Sequence, residues 1–371
     1  MASSVLFILH LPPPVHGAAQ VGKMILQSRR INEEFECHFL NLATARAMED
    51  LGKLNFIKLF LTMRVLAQTF YFLIKVNPAL CYLTLSSTGF AFYKDMMVVT
   101  ILRLFRKDIL FHFHHQGVQS ESAKRPWKKR FFRFALSHRK ASAILLSPAL
   151  YYDVKDYISP DRIFYCANGV PDIQQQKKEV RNNPSATARI LFLSNLLNTK
   201  GFRFVLDACE QLEKEGHLFE CHFAGEWKDI TKDQFLKMAE EKGISNLVKA
   251  HGKVAGEEKL QLLREADFFV LPTLNDAFPL VLLEAMQHHL PVISTYEGGI
   301  PEIVQQDLTG FLISKNDLPA LTDKIRILIQ NAPLRSQMGE QARQRYEAIY
   351  TVESFEERFI SILHKNLTNV F

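Results

Sequence analysis

Asp276 and Glu284 stand with seven residues between them in the run Asp276-Ala-Phe-Pro-Leu-Val-Leu-Leu-Glu284. Pro279 falls where a helix can begin, because proline is favoured at the first helical position. That places Asp276 beside a helix N-terminus and Glu284 more than a turn inside. The apolar strand Phe268-Phe269-Val270-Leu271 runs into this loop. The carboxyl end of a parallel strand feeding a helix is where α/β sheets bind ligands, and the unpaired amides there suit phosphate. Read singly, Asp276 is equally a plain capping carboxylate and Glu284 an exposed helix residue. A second strand, Pro291-Val-Ile-Ser-Thr295, ends in Glu297-Gly298-Gly299-Ile300-Pro301-Glu302, another Gly-rich turn into a helix. Two such turns after two adjacent strands would line one edge of one sheet.

A separate group lies in the first half, in Phe111-His112-Phe113-His114-His115-Gln116-Gly117. Strand alternation sets His112 and His114 on one face and His115 on the other. Three histidines could begin a metal site, but no nearby Asp, Glu or Cys completes the ligand set, so no metal is expected. The alternative is histidines that satisfy loop carbonyls. The loop Pro12-Pro13-Pro14-Val15-His16-Gly17-Ala18 follows the first strand and reads equally as a plain strand–helix turn.

The elements that must position these groups alternate. In the first half, strands are expected at 5–9, 37–42, 79–85, 109–113, 143–146 and 163–166, with helices at 17–29, 54–76, 90–105 and 127–137. The stretch 172–187 is poor in residues that could pack and reads as an interdomain linker. The alternation then restarts. Strands are expected at 190–193, 219–224, 248–251, 267–271 and 291–295, with helices at 202–214, 232–242, 256–265 and 279–288 and further helices in the tail. Strands alternating with helices imply parallel sheets covered on both faces.

At 371 residues, with 47% hydrophobic and 23% charged residues, the chain is long enough for two domains of about 150 residues each and too ordinary in composition for a disordered or collagen-like chain. Residues 1–172 hold 22 Lys and Arg against 12 Asp and Glu, a net charge of +10; the remainder holds 23 against 27, a net of −4, which together give the +6 of the whole. An anionic partner therefore belongs with the first half. The segment 124–140 concentrates eight of those cations with no acid, interleaved with Trp127, Phe131, Phe132 and Phe134. No nucleic-acid motif accompanies it, so nucleic acid is not an expected partner. The readings left are a solvated helix face with a buried aromatic side, or a helix on an anionic membrane surface. The helix at 54–76 is apolar but interrupted by Lys58, Arg64 and Lys75, too short between charges to span a bilayer. The run 5–11 lacks a basic flank and a cleavage site and reads as a buried strand, not a signal peptide. Cys37, Cys81, Cys166, Cys209 and Cys221 form no C-x-x-C pair and sit in apolar stretches, as in a reducing, cytoplasmic compartment.

With these motifs in view, the chain resembles the retaining GT-B glycosyltransferases of the group 1 type, also called family 4. The resemblance rests on Asp276 to Glu284, the strand from Pro291 to Thr295, Gly298-Gly299-Ile300-Pro301-Glu302 and Thr309-Gly310-Phe311. Also similar are Ser194-Asn195 through Lys200-Gly201, Phe223-Ala224-Gly225, His251-Gly252-Lys253-Val254 and Ala167-Asn168-Gly169-Val170. Three positions depart from the family pattern: Asp276 stands where Glu is usual, Asn195 near the place of an Arg, and His16 where a second glycine is common. The resemblance implies two Rossmann-like βαβ domains facing each other across a cleft. These are an acceptor domain at 1–172 with a C-terminal helix at about 350–371 crossing back, a linker at 173–187 and a nucleotide-sugar domain at 188–349. It implies that Glu284 takes the ribose hydroxyls and Asp276 the donor sugar. Lys200 and the Leu280 and Val281 amides would take the diphosphate, the backbone near Lys253 and Val254 the base. Asn195 lies in the same donor site, Gly17 in the loop over the diphosphate, and His114, with His112 next, near the reaction centre. The implied reaction moves a hexose from a nucleotide-sugar donor to a lipid-linked saccharide acceptor in surface polysaccharide or glycolipid synthesis. It would need no metal or cofactor and would run on the inner face of the cell membrane. The alternatives are a nucleotide-sugar 2-epimerase and a non-catalytic sugar-nucleotide-binding subunit.

Overall fold

The computed structural model describes residues 3–13, 16–43, 56–173 and 187–368, with the backbone alone for Ile57 and Lys58. The chain divides into two compact units, residues 1–169 with 352–371, and residues 170–351. The first unit's strands are β1 (Ser4–Leu9), β2 (Glu36–Asn41), β3 (Leu80–Thr84), β4 (Asp108–Phe113), β5 (Ala141–Leu145) and β6 (Ile163–Tyr165). All pair in parallel, in the order β2-β1-β3-β4-β5-β6. The helices are α1 (Gly17–Gln27), α2 (Arg29–Glu34), α3 (Phe56–Lys75), α4 (Gly89–Leu104), α5 (Val118–Lys124) and α6 (Pro126–Leu136). β3 and β5 are buried along their whole length, as expected of parallel strands with helices on both faces.

The helix expected at 17–29 is two helices. Ser28 leaves the helical conformation and its Oγ accepts the Ile31 amide at 3.1 Å, which starts α2. A short polar side chain competing for backbone amides breaks helices in this way. The helix expected at 54–76 is described from Phe56; residues 54 and 55 lie outside the described residues. Gly22, in the middle of α1, has a role its position did not suggest. A Cβ there would lie 2.1 Å from the His10 carbonyl oxygen, so only glycine lets α1 approach the end of β1 this closely.

The second unit repeats the plan. Its strands are β7 (Ala188–Leu193), β8 (Phe219–Ala224), β9 (Val248–Gly252), β10 (Phe268–Leu271), β11 (Val292–Thr295) and β12 (Gly310–Ile313). They pair in parallel in the order β12-β11-β10-β7-β8-β9. The helices are α7 (Phe202–Lys214), α8 (Lys232–Glu241), α9 (Gly256–Glu265), α10 (Leu280–Gln287), α11 (Ile300–Ile303), α12 (Leu318–Gln330) and α13 (Ala332–Ile349). β12 was not read as a strand from the sequence. It begins at Gly310, whose φ of +155° and close approach to Val292 need a residue with no side chain.

The last helix, α14 (Val352–Thr368), belongs to the first unit. Phe355 and Phe359 enter the core formed by Phe7, Tyr82 and Leu110, and the Phe359 ring lies 5.5 Å from that of Tyr82. The units part between Gly169 and Val170. Residues 170–172 are tied into the second unit: the Val170 amide donates to Tyr350 O at 2.9 Å, and Asp172 pairs with Arg343 at 2.9 Å. Of the linker expected at 173–187, residues 174–186 lie outside the described residues.

Candidate active site

In the second unit, the chemistry-bearing residues gather at the carboxyl edge of the sheet. β7 leads through Asn195 and a 3-10 turn at Asn198–Lys200 to Gly201, the N-cap of α7. Gly201 has φ of +80°, and a Cβ on it would lie 2.2 Å from the Pro272 carbonyl oxygen. The loop after β7 thus presses directly on the loop after β10. Two bonds fasten them: the Leu274 amide donates to Thr199 O at 2.7 Å, and Thr273 Oγ1 donates to the same oxygen at 3.2 Å. The result is an ion pair between Lys200 and Asp276, both about one-fifth exposed, with Lys200 also reaching Asn275 O at 3.4 Å. The sequence named these residues separately; the structure joins them.

Pro279 is not the first helical residue. It is the N-cap, at φ −70° and ψ 114°, and α10 starts one residue later at Leu280. Its extended ψ keeps Pro279 outside the helix, which leaves Leu280 and Val281 in the first turn. Among the described residues no side chain caps that turn, so its amides face outward as an anion site requires. Glu284 is one turn further on. Its carboxylate meets the ammonium of Lys259 at 2.6 Å. Lys259 was missed from the sequence. It lies in α9, directly after the Lys253–Val254 loop, and nothing in its local spacing marks it. Lys253 is exposed and Val254 half-buried.

The second glycine turn is fastened to the first. The Gly299 amide donates to Ala277 O at 2.7 Å, and Ser294 Oγ donates to Leu271 O at 2.7 Å. β10 and β11 are adjacent and parallel, so both turns do lie on one edge. Asn195 acts within the scaffold: its Oδ1 accepts the Glu226 amide at 3.4 Å, tying the β7 loop to the β8 loop. Gly225 permits this, since a Cβ would lie 1.8 Å from Ser194 O.

In the first unit, histidines collect at the carboxyl ends of β1 and β4. The His112 and His114 rings are 4.0 Å apart, which the alternation predicted. His10 and His16 face each other at 5.6 Å. His16 caps α1, its Nδ1 accepting the Ala19 amide at 3.3 Å, and Gly17 is the exposed first residue of that helix. His115 accepts the Ser87 amide on Nε2 at 2.8 Å. The turn that carries His114 and His115 is held from behind by Asp153. Its carboxylate accepts the amides of Gly117, Val118 and Gln119 at 2.9, 3.0 and 2.9 Å. Asp153 was also missed; it lies 36 residues beyond Gly117 and joins it only through the fold.

Burial sets the protonation of these histidines. It pulls His112 down to about 3. Burial, then the neighbouring His112, His115, His10 and His16, holds His114 well below its ordinary value. His115 is lowered chiefly by burial as well. Burial pushes the Tyr82 hydroxyl up, so it keeps its proton. The protonated Tyr82 hydroxyl shares a 2.7 Å hydrogen bond with His112 Nδ1. At neutral pH the group acts by hydrogen bonding, not by charge. Both ring nitrogens of His114 are buried without a hydrogen-bond partner among the described residues. An unpaired buried polar atom costs about 1–3 kcal/mol, so these nitrogens suit a ligand that brings hydroxyls. Among the described residues no cluster of His, Cys, Asp and Glu has the makings of a metal site.

Residues 173–345 match the family model for glycosyl transferases group 1. The putative colanic acid biosynthesis glycosyltransferase WcaL of Escherichia coli is 27% identical over 189 residues, which are 48% of this chain and 46% of WcaL. The chain thus spans under half the length of this relative. Among solved structures, sucrose-phosphate synthase from Thermosynechococcus elongatus superimposes with a TM-score of 0.76 at 18% identity, over 98% of each chain. Anabaena HepE, solved with UDP and glucose, gives 0.71 at 16% identity, over 98% of this chain and 99% of that one. At these identities the likeness is one of fold, the two-Rossmann GT-B architecture.

Proposed function

From the membership of residues 173–345 in the group 1 glycosyl transferase family, we propose that the chain transfers a sugar from a nucleoside-diphosphate sugar to a saccharide acceptor in polysaccharide biosynthesis. The observation that carries this reading is the single sheet edge that holds Lys200, Asp276, the uncapped first turn of α10 and Glu284. Each part suits one part of the donor. Glu284, oriented by Lys259, accepts the ribose hydroxyls. Lys200 and the Leu280 and Val281 amides take the diphosphate. Asp276 accepts sugar hydroxyls, and backbone near Lys253 and Val254 holds the base.

In the step, the bond from the sugar's anomeric carbon to the phosphate oxygen breaks and a bond to the acceptor hydroxyl oxygen forms. The hydroxyl proton leaves with the departing phosphate, so no protein base is needed. Negative charge grows on the diphosphate as the bond breaks. A fixed cation and helix-end amides stabilise that charge most where it is greatest. In the first unit, neutral His114 offers a sugar hydroxyl two buried nitrogens that lack partners. The step proposed involves no metal or cofactor. The acceptor proposed is lipid-linked, the configuration is retained, and the five free cysteines fit a cytoplasmic setting.

The test is a thermal-shift screen across UDP-, GDP- and ADP-sugars, followed by transfer assays with the one that binds. A donor at 100 times its Kd adds about 2.7 kcal/mol to stability. Binding with turnover only when acceptor is added supports the reading. Conversion of the donor to its epimer without acceptor would assign the site to an epimerase. Binding with neither reaction would leave a sugar-nucleotide-binding subunit.

A further inference from the structure

The outer surface of the first unit carries a feature that the transfer chemistry does not use. On α3, Phe56, Phe60, Met63, Ala67, Phe70 and Ile74 are all exposed, Phe60 by 70% and Ile74 by 67%. Their spacing of four, three, four, three and four puts them on one stripe of the helix. The opposite stripe, with Thr62, Val65, Thr69 and Leu73, is the one buried against the unit. α3 therefore has two apolar faces, and among the described residues only one is covered.

The bare stripe continues across neighbouring helices. α3 packs on α4 and α4 on α6. Phe70 meets Phe105 edge to face at 5.8 Å, and Tyr93 of α4 stacks on Trp127 of α6 at 5.8 Å. Leu104, at the end of α4, is 73% exposed. Cations stand around this apolar surface: Arg64 and Lys75 on α3, and Lys129, Arg130 and Arg133 on α6, all exposed. The three helices hold one acidic residue, Asp95, which is fully buried beside Lys94. Their outer face thus presents bulky apolar groups and positive charge, with no carboxylate.

We infer that this α3–α4–α6 face docks on an anionic lipid bilayer, the helices lying flat with the aromatic and aliphatic side chains in the headgroup boundary. Three observations select that occupant. Exposed aromatics beside Lys and Arg match an interface that is apolar inside and negative outside. A second copy of the same face would set cation against cation, with no acid to pair them. And no helix among the described residues is long and apolar enough to cross a membrane, so the face can rest on a bilayer but α3 does not pass through one. The inference concerns helices of the first unit and does not depend on which sugar is transferred.

The test is flotation of the full chain with vesicles of phosphatidylcholine containing 30% phosphatidylglycerol, or of phosphatidylcholine alone, at about 50 mM and about 500 mM salt. Binding is expected to the anionic vesicles at low salt, with a sharp loss at high salt and on neutral vesicles. Removing two cations in R130Q/R133Q should weaken partitioning roughly 25-fold, about fivefold for each cation. F60S/I74S should weaken it at least as much. These four side chains are exposed, so circular dichroism and the thermal midpoint should not move. Absence of binding to anionic vesicles at low salt overturns the inference, as does binding that neither variant changes. A concentration-dependent dimer abolished by F60S/I74S also overturns it, by assigning the stripe to a second copy. Donor-induced thermal shift in the same samples reports on the transfer site independently.

Discussion

Gly201→Ala and Gly216→Ala form a matched pair of perturbations on one helix. Gly201 is the N-cap of α7, with φ of +80°, and Gly216 lies just past its end, with φ of +78°. Alanine at either position carries left-handed strain of ~1–2 kcal/mol, offset in part by the reduced freedom of the unfolded chain. At Gly216 nothing lies within 4 Å of the new Cβ. At Gly201 the Cβ would sit 2.2 Å from Pro272 O, where ordinary contact begins at 3.4 Å, so the loop after β7 must retreat by about 1.2 Å, the difference between them. That loop carries Lys200. A misplacement of about 1 Å in a positioning group costs roughly a hundredfold in rate. Gly216→Ala should then lower the stability of the second unit by ~1 kcal/mol and leave transfer unchanged. Gly201→Ala should cost ~3 kcal/mol and slow single-turnover transfer about a hundredfold. Urea unfolding followed by Trp227 fluorescence in a Trp127→Phe background reads the second unit alone, since each unit holds one of the two tryptophans. Equal effects of the two alanines on both stability and rate would refute the reasoning.

Glu284→Gln should weaken nucleoside-diphosphate binding by roughly 10- to 100-fold, the loss of ~1.5–3 kcal/mol of charge-assisted hydrogen bonding; calorimetric titration reads it directly. Lys259→Met should weaken the same binding by a smaller factor, because it frees the carboxylate without removing it, and an unchanged Kd would remove Lys259 from the site. The first unit should lose stability as pH falls below about 6.5, because burial holds His10, His16, His112, His114, His115 and His138 below their unfolded pKa values and the unfolded chain takes up more protons. For His112, held at about 3, the loss reaches ~2 kcal/mol by pH 5, and a His112→Gln variant should show a shallower fall in thermal midpoint over that range. Asp153→Ala strips the acceptor from three amides and should destabilise the first unit by ~2 kcal/mol; transfer should fall as His114 loses its support, and an unaltered rate in folded protein would detach that loop from catalysis.

The second unit was the more legible half. Apart from β12, the strands and helices expected there fall within a residue or two of their bounds, several of them marked by a glycine turn, as at Gly201, Gly225 and Gly298. The Asp276 and Glu284 loop was legible for the same reason. Pro279 misplaced the start of α10 by one residue because proline's fixed φ leaves ψ open, and here ψ is an extended 114°. The partners of the site residues were not legible. Lys259 and Asp153 reach their targets through tertiary packing, and neither has a local signature. Lys128 shows the limit of reading charge from composition. It sits within the basic run at 124–140, yet it is buried, paired with Glu121 at 2.6 Å and lying 4.3 Å over the Phe92 ring. The sequence also could not say which face of the 54–76 helix the fold would use, since both stripes are apolar.

The place of α14 has a consequence for how the chain is made. Phe355 and Phe359 complete a core that they share with Phe7 and Tyr82, which are translated more than 270 residues earlier. The whole second unit, residues 170–351, is synthesised between them. The second unit can therefore close on the ribosome while the first still lacks α14 over the part of its sheet that α1 and α2 leave open. Closing so long a loop is an entropic delay that local contacts cannot shorten, and an open apolar sheet is prone to wrong association while it waits. The unit that comes first in the sequence is thus the last to finish folding.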